Sequence, residues 1–221
     1  MTPPRNRRKM SKKQPTVIKI LGFCLLFACL LTALVGCGKP DETEFLATAK
    51  DLLARSEQVN ALCFGEGLSP NEDGYTVGKY AEATEESLSA FDVASVTEIK
   101  EKIHAVYSVA TAEWIESVVF SAIREDNSVL SYSRYYDTVA AEEDGSRAVL
   151  MVKKDHEPLI NGRASYGNVR ILSLSSRRAE ILVDVTVEKD GESRVEKDVS
   201  LSLRAEEDGW RLDSPSYVTF D

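Results

Sequence analysis

Hydrophobic positions recur at helical spacing in the first half of the chain and at strand spacing in the second. From Asp41, the residues Phe45, Leu46, Ala49, Leu52, Leu53, Ser56, Val59 and Leu62 follow i, i+3, i+4 steps, with Lys50, Asp51, Arg55, Glu57 and Asn60 on the opposite face. This spacing predicts an amphipathic helix with Asp41 at its N-cap, Glu44 as return partner, and Gly65 and Gly67 at its end. Ser95-Val96-Thr97-Glu98 reads as a second capping box, followed by Ile99, Ile103 and Val106 on one face. A third stripe, Trp114, Ile115, Val118, Val119 and Ala122, predicts a buried helical face over 110–123, continuous with the second helix or separate from it. Between these helices, 68–94 reads as a loop with a short extended piece, because Ser69-Pro70-Asn71 and Asp73-Gly74 are turn signals.

From Val129 the period changes to two. Strands are predicted at 129–137, 147–153, 168–175, 178–188, 194–204 and 210–213. The clearest places Ala179, Ile181, Val183, Val185 and Val187 on one face, and its partner turns Val199, Leu201 and Leu203 inward. Lys189-Asp190-Gly191-Glu192 and Asp208-Gly209 supply hairpin turns. Short polar connections imply antiparallel neighbours. Helices first and a meander second define an α+β domain, its N-terminal helices packed on a curved antiparallel sheet.

What precedes Asp41 is of another kind. Seven basic and no acidic residues stand before Cys37, and Ile20–Gly36 is a run of 17 residues without a charge. A basic flank before an apolar run marks an exported segment with its positive end retained in the cytoplasm. The run closes on Leu34-Val35-Gly36-Cys37, which resembles the lipobox of bacterial lipoproteins. That resemblance implies a signal peptide over 1–36, a lipidated Cys37 with a short tether over 37–40, and a single extracytoplasmic domain over 41–221. It places the protein on the outer side of the cell membrane, held in the bilayer by palmitate-type acyl chains on Cys37. The alternative is a signal-anchor helix, for which 17 residues fall short of the ~20 that usually span a bilayer.

Charge then narrows the partners. The whole chain carries 27 basic and 36 acidic residues. Without residues 1–36 the balance is 20 against 36, and such a body repels phosphate backbones, so no nucleic-acid partner is expected. Cys24 and Cys29 lie in the apolar run, and lipid would cap Cys37. Cys63 is then left single, which excludes an internal disulfide and reads as a buried, inert thiol.

The order of elements and the closing Asp208-Gly209-Trp210-Arg211-Leu212-Asp213 resemble the nuclear-transport-factor-two-like superfamily. The resemblance implies a cone-shaped, cystatin-like α+β fold with a pocket between helices and sheet. It leaves function open, since that superfamily holds isomerases and dehydratases as well as binding domains. A looser similarity is to secreted inhibitors of cell-wall endopeptidases.

Reactive constellations are sparse. The histidines are His104 and His156, read as a boundary residue and a solvated loop residue, and no metal-ligand spacing surrounds them. No Gly-x-Ser-x-Gly elbow or phosphate-cradling glycine turn occurs, so no catalytic residue and no cofactor is assigned. Recognition chemistry concentrates in Leu130-Ser131-Tyr132-Ser133-Arg134-Tyr135-Tyr136. In one strand Tyr132, Arg134 and Tyr136 share a face, placing between two phenols a guanidinium suited to stack on them or to hold a carboxylate or a sugar hydroxyl. The other reading is a cross-strand aromatic ladder covered by Arg134. Tyr107 and Trp114 on the helical layer are candidates to line the same concavity. These observations predict a non-enzymatic binding or interaction module of the cell envelope, its partner an envelope protein or a small ligand. The alternatives are an enzyme with a cone-shaped pocket and an inhibitor of wall hydrolases.

Overall fold

Asp41 opens the fold as its position predicts. Its Oδ1 accepts the N–H groups of Thr43 and Glu44, both at 2.9 Å, and caps helix α1 (Glu42–Cys63). The computed structural model describes residues 40–216 apart from 122, 126, 127, 132, 143, 144 and 161. The lipobox, Cys37, Ala122 of the third predicted helical stripe, and Tyr132 lie outside the described residues. The described elements belong to one compact unit, Pro40–Asp221.

After α1 comes the hairpin β1 (Pro70–Val77) and β2 (Tyr80–Ala83), turned at Gly78, whose φ is +58°. Helices α2 (Glu85–Phe91), α3 (Val96–Val106) and α4 (Val109–Phe120) follow. Regular structure in 68–94 exceeds the single extended piece the sequence suggests. Strand β2 is held by a partner some seventy residues away, Tyr80 pairing with Lys153, and the Thr84 hydroxyl caps α2 by accepting Ser87 N–H at 3.2 Å. Ser95 caps α3 through Glu98 N–H at 3.2 Å, while the Glu98 carboxylate accepts Ala94 N–H at 2.6 Å. Ser108 starts α4 separately, so the stretch from Val96 to Phe120 is two helices and Ile123 already belongs to a strand.

The strands are β3 (Ile123–Glu125), β4 (Ser128–Ser131), β5 (Tyr135–Glu142), β6 (Gly145–Lys153), β7 (Arg163–Leu174), β8 (Arg178–Lys189), β9 (Glu192–Glu206) and β10 (Gly209–Leu212). They form one sheet in the order β1-β2-β6-β5, a second in the order β10-β9-β8-β7, and a β3-β4 pair. All ladder pairings are antiparallel, so the domain is α+β. The predicted strand over 129–137 is broken: Arg134 stands in a bend before β5, and its side chain, only 3% exposed, turns into the protein.

Burial follows the period-2 pattern where it is strongest. Ala179, Ile181, Val183, Val185 and Val187 are buried along β8, with Leu201 and Leu203 opposite on β9. Against that face lie Phe45, Leu52, Leu53 and Val59 of α1 and Ile99 and Ile103 of α3. Phe45 meets Trp210 edge-on at 5.0 Å, tying the start of α1 to β10. A parallel bridge between Tyr107 and Leu212 ties the α3–α4 junction to the same strand.

Two helical expectations are corrected. Asn60, read as solvent-facing, is 3% exposed, because Tyr107 and Ser216 satisfy its amide. Trp114 and Val118, read as core, are 44% and 41% exposed; the buried stripe of α4 is Ala112, Ile115 and Val119.

Candidate functional site

The predicted recognition residues go to different places. Tyr107 is fully buried, and its hydroxyl donates to Asn60 Oδ1 at 2.7 Å. Tyr136 packs edge-on against Tyr80 at 4.7 Å, in a small separate cluster with Ala140, Val149 and Met151. Trp114 lies on the surface with its ring 5.9 Å from that of Phe64. Arg134 stacks over Tyr135, 5.2 Å from the ring centroid. The four described candidates therefore do not line one concavity.

Arg134 instead organises the end of α1. A helix leaves its last carbonyls unpaired and its C-terminus partly negative, so a cation there is favoured. Arg134 Nη2 donates to Gly65 O and Glu66 O, both at 2.6 Å. Its Nε and Nη1 are buried and meet no hydrogen-bond partner. Burial lowers the guanidinium pKa from its ordinary value, opposed by the Tyr135 and Cys63 groups beside it. Tyr135, 1% exposed, donates to Leu62 O at 2.8 Å and accepts Leu68 N–H at 3.2 Å. Gly67, at φ +64°, fits between them; a Cβ there would collide with the Tyr135 hydroxyl and the Arg134 guanidinium.

The buried ionisable groups are held far from reactivity. Burial pushes the Cys63 thiol up to about 12, in keeping with an inert core cysteine. Burial likewise raises the Tyr135 hydroxyl to about 12 and the Tyr107 hydroxyl further. His156, read as solvated, is half-buried with Nε2 enclosed. Burial, then the charges of Arg134 and Lys153, lower its pKa to about 4, so the ring is neutral at pH 7. His104, a boundary residue as expected, bonds Glu116 at 2.8 Å. Burial alone would raise the Glu116 carboxyl, but Lys100 and His104 together outweigh it and hold the group below its usual range.

Beyond the end of α1 opens a furrow of about 550 Å³, walled by the C-terminal half of α1, the 65–67 turn, the end of α2 and the approach to β7. Glu57, Gln58, Glu66 and Arg163 supply its polar groups, and Phe91 and Ile160 part of its apolar wall. A smaller hollow of about 220 Å³ between α1 and α3 is lined mainly by Val59, Leu62, Phe91 and Val106. The furrow has the size of a small-ligand site, ~300–1,000 Å³, and combines apolar wall with convergent polar groups. None of Glu57, Glu66 and Arg163 carries a motif. The only sequence signal for the furrow is the Gly65-Glu66-Gly67 turn after an amphipathic helix.

Among the described residues no group of three His, Cys, Asp or Glu side chains is placed to hold a metal ion, and no helix is long and apolar enough to cross a membrane. Fold and site together define an α+β domain with a packed interior and a polar-walled furrow on its surface. The chain matches no protein-family model, no curated protein and no solved structure.

Proposed function

We propose that the chain is a lipid-anchored, extracytoplasmic binding module of the cell envelope, which recognises its partner at the furrow beside the end of α1. The observation that carries this reading is the division between interior and surface. The space between helices and sheet is occupied by apolar side chains, whereas the furrow offers both signs of charge to solvent. A pocket enzyme needs an acid or base poised near neutral pH inside its cavity. Burial pushes the interior tyrosines and thiol near the end of α1 far above neutral pH, which favours recognition over catalysis.

The anchor rests on Leu34-Val35-Gly36-Cys37 behind its basic flank. Three residues, Gly38, Lys39 and Pro40, separate Cys37 from Asp41 and reach about 10 Å at full extension, so the domain works close to the bilayer. Helix α1, 22 residues and about 33 Å long, carries the furrow at the end opposite its tether. For the domain itself the reading includes the cone-shaped, nuclear-transport-factor-two-like architecture, supported by the element order and by α1 packing against β7 and β10.

Photo-crosslinking in intact cells tests the function. A crosslinker at Gln58 or Arg163 should yield the same discrete adduct, and one at Lys197 on β9 should not. Adducts independent of position, or none, refute the furrow as the surface that meets an envelope partner. Fatty-acid labelling should disappear in Cys37→Ala; labelling that persists refutes acylation at Cys37.

A further inference from the structure

The 65–67 turn has a polarity that its contacts with Arg134 impose. No peptide bond among the described residues is cis. In a trans peptide the C=O and the following N–H point in opposite directions. Gly65 O and Glu66 O are both drawn onto Arg134 Nη2, so the N–H groups of Glu66 and Gly67 point away from it. Gly65 N–H, by contrast, is used within the helix end, donating to Asn60 O at 3.0 Å. Gly65, Glu66 and Gly67 together line the furrow. Two successive peptide donors aimed the same way, with an αL glycine between donor and turn exit, form the kind of backbone nest that receives a carboxylate.

Charge decides what sort of carboxylate. Arg134 stands immediately behind the nest, bonded to the Gly65 and Glu66 carbonyls and to no carboxylate among the described residues, and Arg163 lines the furrow. Glu57 and Glu66 place two negative charges on the same walls. Two guanidiniums and two carboxylates leave no net field for a dianion such as phosphate, whereas a ligand bearing both signs meets an opposite charge at each end. About 550 Å³ is room for more than one residue.

Resting on the reading of the furrow as the recognition surface, we propose that it takes a short zwitterionic peptide. The ligand's free carboxylate is received by the Glu66 and Gly67 N–H groups and Arg163, and its ammonium group faces Glu57. Asn60 contributes nothing to this selectivity, because its amide is committed to Tyr107 and Ser216.

The test is calorimetric titration of the full chain in detergent with tri-alanine, with tri-alanine amide and with N-acetyl-tri-alanine, alongside hydrogen–deuterium exchange of the 62–68 segment. Tri-alanine should bind and protect that segment. Amidation of its carboxylate should weaken binding at least tenfold, and acetylation and Glu57→Gln should each weaken it severalfold. Arg163→Gln, at an exposed position, should weaken tri-alanine severalfold and leave the amide unchanged. Equal affinity for acid and amide, absence of binding, or protection elsewhere overturns the assignment. If tri-alanine fails while crosslinks from Gln58 and Arg163 persist, the ligand class falls and the recognition surface stands. If it binds while those crosslinks are absent, the envelope-partner reading falls instead.

Discussion

Replacing Ser216 by alanine removes one hydroxyl from the centre of a chain of donors that closes the core. Tyr107 donates to Asn60 Oδ1 at 2.7 Å, Asn60 Nδ2 to Ser216 Oγ at 2.9 Å, Ser216 Oγ to Ser56 Oγ at 2.7 Å, and Ser56 Oγ to Leu53 O at 2.7 Å. The Tyr107 hydroxyl also lies 3.0 Å from Ser216 Oγ. Every member is 3% exposed or less, so water does not replace a lost partner at the surface. Ser216→Ala leaves the Asn60 amide with a buried, unpaired N–H, at about 1–3 kcal/mol, and deletes the bond to Ser56, at about 1 kcal/mol. The Tyr166 bond to the Ser216 carbonyl, at 3.0 Å, survives the substitution. The expected loss is about 2–4 kcal/mol, or roughly 4–16 °C in Tm for a domain of this size. Thermal and urea unfolding of wild type and variant measure it. Ser214→Ala is the control: that hydroxyl accepts one N–H, from Ser202 at 3.2 Å, and its loss should cost no more than about 1 kcal/mol. A Ser216→Ala variant within about 1 °C of wild type would refute the claim that this hydroxyl holds the core polar groups together.

Other perturbations report on the end of α1. Gly67→Ala, at φ +64° and against Arg134 and Tyr135, should destabilise by about 2 kcal/mol or more, whereas Gly78→Ala, at φ +58° with open space around it, should cost only about 1 kcal/mol; chemical unfolding of the pair separates clash from backbone strain. His156 titrates at about 4 in the folded protein and near 6.5 when unfolded, so the denatured chain takes up the proton first. Stability from this group is therefore full above pH 6.5 and lost as pH falls toward 4. The loss is about 1 kcal/mol once solvent screening of a half-buried ring is allowed for, and His156→Gln should flatten that part of the unfolding profile. Cys63, buried with its thiol raised to about 12, should resist iodoacetamide at pH 8 in the folded protein and react at the rate of unfolding; rapid native labelling, read on the Cys63 peptide, would contradict its burial.

Local pattern made much of the architecture legible. The alternation along 178–188 places five apolar side chains on one face, and a strand with one buried face has only one register that satisfies them. Asp41 and Ser95 mark helix starts because an N-cap is a contact with N–H groups two or three residues away. The recognition residues were less legible. Arg134 reads as a strand residue beside two tyrosines, yet its partners are carbonyls 68 and 69 positions earlier in the chain. Trp114 has the spacing of a core residue, and only the docking of Ala112, Ile115 and Val119 turns it outward.

By itself the sequence determined the α+β class, most of the strands, the caps of the main helices and the apolar composition of the core, since each depends on neighbours within one or two turns of chain. The tertiary structure alone decided that Asn60 is interior, that Arg134 seals the end of α1, and that Glu57, Glu66 and Arg163 share a furrow. Those outcomes are set by burial of polar groups against partners distant in sequence, and whether a polar side chain can be buried is fixed by the partner it meets there.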